Sequence, residues 1–271
     1  MTTYRLDKLT VRHQAGTRAP ALHAIDLVVE QGEQLAVIGP SGAGKTTLLH
    51  TLACAHAPSE GLFEAFGRQV WALSGKARHR LRADLFLAPQ TPPLPPRQRV
   101  VSAVLAARLP HWSFFEALSS LFKPSDPDAA YDALARFGLS DKLYARVDRL
   151  SGGERQRCGL ARLLLSSARV FLVDEPLSAL DPALAQLTLA ALQQEARARQ
   201  ATLVCSLHQV DMARANFARI VGLRDGRIVF DAARADVSDA MIATLYQNEA
   251  LTPPPPAAQQ RPEALAVGAC F

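Results

Sequence analysis

The chain has 271 residues, 49% of them hydrophobic and 20% charged, and carries a formal charge of +5 at pH 7. That suffices for one large or two small domains with a sizeable core. No apolar run reaches the roughly 18 residues of a transmembrane helix, the charged start "MTTYRLDKLT" is unlike a signal peptide, and the modest charge admits anionic ligands without demanding nucleic acid.

In chain order, "EQLAVIG" (Glu33 to Gly39) reads as a buried strand. It runs into "GPSGAGKTT" and the helical stretch "TTLLHTLA". Gly39, Gly42, Gly44, Lys45 and Thr46 fit G-x-x-x-x-G-K-[ST] between a strand and a helix. Glycines let the backbone of Gly39, Pro40, Ser41, Gly42, Ala43, Gly44, Lys45, Thr46 and Thr47 wrap a polyphosphate with its N–H groups, and the helix start adds positive potential. Lys45 can reach the terminal phosphates, and the Thr46 hydroxyl can coordinate Mg²⁺. An ordinary glycine-rich turn would not need that spacing.

From about Thr91 to Ser166 clear strands are missing. A proline-rich turn, "TPPLPPRQRV", leads into helical patterns, which suggests a helical subdomain inserted at about 91–166. Within it, Phe114, Leu118, Leu121 and Phe122 of "WSFFEALSSLF" share one helical face. That face suits internal packing, or docking of a partner's helix. Further on, "LSGGERQR" places Ser151 and Glu154 in the S-x-x-E capping box. A cap needs no glycine, and each Gly inside a helix costs about 1 kcal/mol relative to Ala. Gly152 and Gly153 therefore raise the question of what approaches their backbone.

"RVFLVDE" (Arg169 to Glu175) is a second buried strand, delivering Asp174 and Glu175 to its C-terminal end, where ligands of open parallel sheets bind. Asp174 suits a Mg²⁺ shell. Glu175, pointing the other way along the strand, could accept a proton from an attacking water. Asp181 is a plausible N-cap with Pro182 at the first helical position, followed by Leu184, Leu187, Ala191 and Leu192 at helical spacing. "ATLVCSL" (Ala201 to Leu207) is a third strand, ending beside His208, whose imidazole could bridge a γ-phosphate and water. Solvated carboxylates and a structural histidine are the ordinary alternatives to these roles. Strands alternating with amphipathic helices imply a largely parallel sheet covered on both faces. The four cysteines show no metal or redox spacing and read as reduced residues. The proline-rich segment 250–271 is expected to be a disordered tail.

Taken together, "GPSGAGKTT", Gln90, "LSGGERQR", "VFLVDEP", "SALD" and His208 resemble, in kind and order, the ATP-binding subunit of an ABC transporter. The likeness runs from about Leu6 to Asp231. It implies an α/β fold: a P-loop NTPase (RecA-like) core with a mainly parallel sheet, plus the inserted helical subdomain, over 1–249. It also implies ATP and Mg²⁺ as cofactors, with Gln90 joining Thr46 and Asp174 at the metal and linking metal and water to a membrane partner. Ser178 to Asp181 would touch the opposite subunit of a head-to-tail ATPase homodimer. In that dimer Ser151, Gly152, Gly153 and Glu154 face the partner's nucleotide, and the two glycines are bare so that its γ-phosphate can approach. Members usually stack an aromatic residue on adenine; His13 stands at that place here, where a surface-loop histidine is the alternative.

The stretch "SLHQVDMARANFARIVGLRDGRIVFD" resembles that of phosphonate-import ATPases, as does the middle segment. This implies uptake of phosphonates or related phosphorus oxyanions, with transmembrane permease subunits and, indirectly, a periplasmic or surface solute-binding protein as partners. It implies a peripheral position on the cytoplasmic face of the inner membrane and no nucleic-acid partner. A soluble ABC-type ATPase of DNA repair or translation is the alternative of another class. A P-loop kinase would leave "LSGGERQR" and "SALD" unexplained.

Overall fold

The computed structural model describes residues 1–12, 20–120 and 124–247. His13, Leu121, Phe122 and the segment 250–271 lie outside them.

The chain opens with β1 (Thr2–Val11), β2 (Leu22–Glu30) and β3 (Gln34–Ile38), then α1 (Lys45–Leu52). β4 (Glu60–Ala65), β5 (Arg68–Gln69), α2 (Gly75–Ala83) and β6 (Leu85–Ala88) follow. A helical stretch comes next: α3 (Val100–Leu105), α4 (Phe114–Ser120), α5 (Pro127–Ala135) and α6 (Gly152–Leu165). β7 (Val170–Asp174), α7 (Pro182–Arg199), β8 (Thr202–Leu207) and α8 (Val210–Asn216) return to the sheet. β9 (Arg219–Arg224), β10 (Arg227–Ala233) and α9 (Asp239–Leu245) complete the described fold.

The main sheet has the order β10-β9-β3-β8-β7-β6; only β10 pairs antiparallel, with β9. Strand alternation splits the core in two. Ala36, Ile38, Phe171, Val173, Leu203 and Cys205 face α3, α5, α6 and α7. Leu35, Val37, Val170, Leu172 and Val204 face α1 and a second sheet. Asp174 and Ser206 thus inherit the α1 face from Leu172 and Val204, and strand register sets them side by side.

The second sheet, β2-β1-β4-β5, is antiparallel and goes beyond the expected parallel sheet. Its alternation is broken where it would be read: Lys8 lies at φ 46°, and the β1–β2 register shifts between Leu6 and Leu9. The bulge leaves β1 with no clean period of two.

Between β6 and β7 the described residues form helices and no strand beyond one isolated bridge, Arg99 to Arg146. Their apolar residues, among them Val104, Leu134 and Leu160, continue the core on that face of the sheet. On α4, Leu118 of the expected apolar face is 45% exposed, and Phe115, outside that face, is 79% exposed. Cys54, Cys158 and Cys205 are free and buried; burial pushes the Cys54 thiol up to about 11 and the Cys158 thiol up to about 12.

Candidate functional site

The loop between β3 and α1 is shaped by its neighbours. At Gly39, φ is +154°, and a Cβ there would stand 1.9 Å from the Leu223 carbonyl oxygen, so only glycine fits. The Lys45 side chain is buried and folds back on the loop, its Nζ donating to the carbonyls of Gly39 (2.7 Å) and Pro40 (3.1 Å). Ser41 to Thr47, Gln90, Glu175 and His208 line one open pocket of about 360 Å³. Backbone N–H groups, an ammonium, a hydroxyl and a carboxylate at one mouth suit a polyphosphate with a hard, oxygen-seeking cation.

Two of the three metal candidates, Thr46 and Asp174, are held together, while the Gln90 amide is bonded to Glu175. Thr46 Oγ1 donates to Asp174 Oδ2 at 2.9 Å, and Ser206 Oγ donates to Asp174 Oδ1 at 2.6 Å. Asp174 is 3% exposed, so both carboxylate oxygens need such partners. The three catalytic candidates also meet: Gln90 Nε2 donates to Glu175 Oε2 at 2.9 Å, and His208 Nε2 lies 2.5 Å from Glu175 Oε1.

One expectation needs correction. Glu175 is not the next residue of an alternating strand. β7 ends at Asp174, and Glu175 takes the left-handed conformation at φ 49°. That turn, rather than alternation, separates its side chain from that of Asp174.

The capping box at α6 is formed: Ser151 Oγ accepts from Glu154 N at 3.2 Å, and Ser151 N donates to Glu154 Oε2 at 2.7 Å. The latter bond, first, holds the Glu154 carboxyl below its usual range. The two glycines differ. At Gly152 an added Cβ would meet nothing within 4 Å, whereas at Gly153 it would stand 2.9 Å from the Ala179 carbonyl oxygen. The bareness of Gly153 is therefore already required inside the chain, by the loop after β7. Asp181 caps α7, its carboxylate accepting from Leu184 N at 3.0 Å. None of Ser151, Gly152, Gly153, Glu154 or Asp181 lines the phosphate-loop pocket.

Two residues the motifs did not single out belong to this constellation. Ser206 grips Asp174, and Gln156 Nε2 donates to the Glu175 carbonyl at 2.7 Å. Each carries a signal: a polar residue on a buried face. Ser206 follows Thr202 and Val204 on one strand face. Gln156 precedes Leu160 and Leu163 on the buried face of α6.

The sequence profile of the ABC transporter family matches residues 22–178. The phosphonates import ATP-binding protein PhnC of Polaromonas sp. strain JS666 is 58% identical over 244 residues, covering 89% of this chain and 88% of that protein. Its counterpart from Pseudomonas fluorescens strain Pf0-1 is 51% identical over 255 residues, covering 94% and 96%. Among solved structures, the dimeric post-hydrolysis state of the ATP-binding cassette MJ0796 bound to ADP and Pi superimposes with a TM-score of 0.73 at 25% identity, covering 85% of this chain and 98% of that one.

Proposed function

The chain belongs to the ABC transporter family as an ATP-hydrolysing subunit, and from that premise we propose that it drives import of phosphonates or related phosphorus oxyanions. The carrying observation is near-full-length similarity to relatives bearing that name.

In this reading the loop N–H groups and Lys45 bind the phosphates of ATP, and Thr46, Asp174 and Gln90 would hold Mg²⁺. The cation supplies charge neutralisation at the transferring phosphate. Glu175 accepts the proton of the attacking water, and His208 and Gln90 fix the direction of its carboxylate. Ser151, Gly152, Gly153, Glu154 and Asp181 serve the nucleotide of a second copy in a head-to-tail dimer. In support, Ser151 Oγ accepts within its own chain, which leaves its O–H free to donate outward.

Transmembrane permease subunits complete the machine, and a solute-binding protein delivers the cargo. No helix among the described residues is long and apolar enough to cross a membrane, which suits a peripheral subunit at the cytoplasmic face. A groove of about 650 Å³ whose lining includes Arg99, Val101, Leu105, Trp112, Tyr144 and Ala117 of α4 takes in part of the helix that exposes Phe115 and Leu118. It is the surface on which a permease helix would dock.

The test is growth. A strain lacking this gene should lose growth on a phosphonate as sole phosphorus source, keep growth on phosphate, and be restored by the wild-type gene but not by Glu175→Gln. Undiminished growth of the deletion strain on every phosphonate tried would overturn the cargo assignment.

A further inference from the structure

The Glu175 peptide is gripped at both ends by buried side chains. Its N–H donates to Ser206 Oγ at 3.0 Å, and its carbonyl accepts from Gln156 Nε2 at 2.7 Å. Ser178 Oγ donates to the same carbonyl at 3.3 Å. A non-glycine residue at φ 49° holds that conformation only where its surroundings over-determine it. Ser206 is 0% and Gln156 4% exposed, so both bonds are shielded from competing water.

The two grips differ in where they come from. Ser206 belongs to β8, the strand paired with β7, and is part of the same sheet. Gln156 comes from α6, the helix that Ser151 caps. It stands five residues after that cap, about 7.5 Å along a rigid helix. Gly153, on the first turn of α6, packs against the Ala179 carbonyl, so the helix start also touches the loop that follows Glu175.

We propose that Gln156 is a positioning residue that ties the start of α6 to the catalytic carboxylate. Whatever engages the exposed cap of α6 reaches the Glu175 peptide through this side chain, beside the contact of Gly153 with the following loop. This makes the orientation of each chain's base sensitive to occupancy of the neighbouring site. It rests on the reading of Glu175 as the base and of Ser151 as a contact to a second copy's nucleotide.

Full-length wild type, Gln156→Met, Glu175→Gln and the double variant should be compared for kcat, KM for Mg-ATP, ATP-driven dimerisation and thermal unfolding. Methionine keeps the length of the side chain and removes its donor. The expected result for Gln156→Met is a fall in kcat of about 10-fold or more with KM within about 2-fold, the pattern of a lost transition-state interaction. The double variant should be no slower than Glu175→Gln alone, since residues acting as one unit are not additive. It should also dimerise with ATP as well as Glu175→Gln does, which a merely loosened α6 would not. Wild-type turnover in Gln156→Met, additive losses, or lost dimerisation in the double variant overturns the proposal. Should Gln156→Met not fold, Gln156→Asn, one methylene short of the carbonyl, takes its place, and the same outcomes support or overturn the proposal. If Glu175→Gln itself turns over normally, the base assignment fails and this inference with it. If Glu175→Gln is inactive while Gln156→Met is not, only the positioning role fails.

Discussion

The phosphate-loop side and the signature side of this molecule are built differently. On the first, the key side chains hold one another: Thr46 to Asp174, Gln90 and His208 to Glu175, and Lys45 to the loop carbonyls. These side chains come from the start of α1, the end of β7 and the loops that leave β6, β7 and β8, so packed secondary structure fixes them. On the second, Ser151 and Glu154 bond to each other at the exposed end of a helix, and the backbone of Gly152 opens onto space. Tertiary packing preorganises the first side, and a local cap preorganises the second. The first has the parts of a chemical site; the second has the parts of a contact.

Breaking the first side should have the largest effect. On the reading of Glu175 as the base, Glu175→Gln keeps shape and removes it, so Mg-ATP binding should persist while hydrolysis falls by about 10² or more. Phosphate release and equilibrium binding measured on one preparation check this. Wild-type turnover would take Glu175 out of the mechanism. Lys45→Ala should fail earlier, at binding, because the phosphates lose their nearest cation.

The comparison sharpens when the sides are damaged in separate chains. Lys45→Ala and Ser151→Ala, each inactive alone, should on mixing form dimers with one intact composite site. That site would draw Lys45 from one chain and Ser151 from the other. Retention of one ATP per differently tagged mixed dimer is the readout. A flat result would mean that Ser151 serves its own chain's nucleotide.

Smaller effects separate the two glycines and the cap. Gly153→Ala pushes a methyl against the Ala179 carbonyl and Leu180, an overpacking worth about 1–3 kcal/mol. The helix propensity of alanine returns about 1 kcal/mol of it, so a lowered urea midpoint is expected. For Glu154 the sign follows from its lowered pKa: the carboxylate stabilises the fold above the unfolded value near 4.5, and that contribution is lost on acidification through the lower folded value. Glu154→Gln should therefore be less stable than wild type at neutral pH, by under about 1 kcal/mol, and the gap should close in acid. A gap independent of pH would show that charge plays no part.

How much could be read beforehand follows the same division. Where a pattern was read it reported structure: the strands ending at Ile38, Asp174 and Leu207, the cap at Ser151, and Asp181 with Pro182 at the start of α7; β2, β9 and β10 went unread although their backbone is extended. Irregular backbone hid other features. The bulge at Lys8 concealed the antiparallel sheet, and the left-handed turn at Glu175 made alternation the wrong guide to its direction. Gln156 and Ser206 escaped because a polar residue on a buried face declares no partner until two elements pack. Gly153 looked like a ligand's doorway and is a packing contact as well, since no sequence pattern records the carbonyl of Ala179 beside it.

Gly152 offers the smallest effect on folding and the sharpest contrast. Its conformation is not left-handed, and an added Cβ meets nothing within 4 Å. Gly152→Ala should leave the isolated chain as stable as wild type, or raise it by about 0.4–1 kcal/mol through the lost freedom of the unfolded chain. Nothing inside the chain requires a glycine there, so any requirement comes from outside it. On the composite-site reading the requirement is set by a phosphate held by a second copy, close enough that a methyl would block it. ATP-driven dimerisation in a Glu175→Gln background should then fail in Gly152→Ala, while binding of Mg-ATP to the separate chains is unchanged. Gly153→Ala would lose stability first, so only Gly152 separates folding from assembly. If Gly152→Ala dimerises at the wild-type ATP concentration, the phosphate does not approach there, and the outward role of this helix end narrows to Ser151.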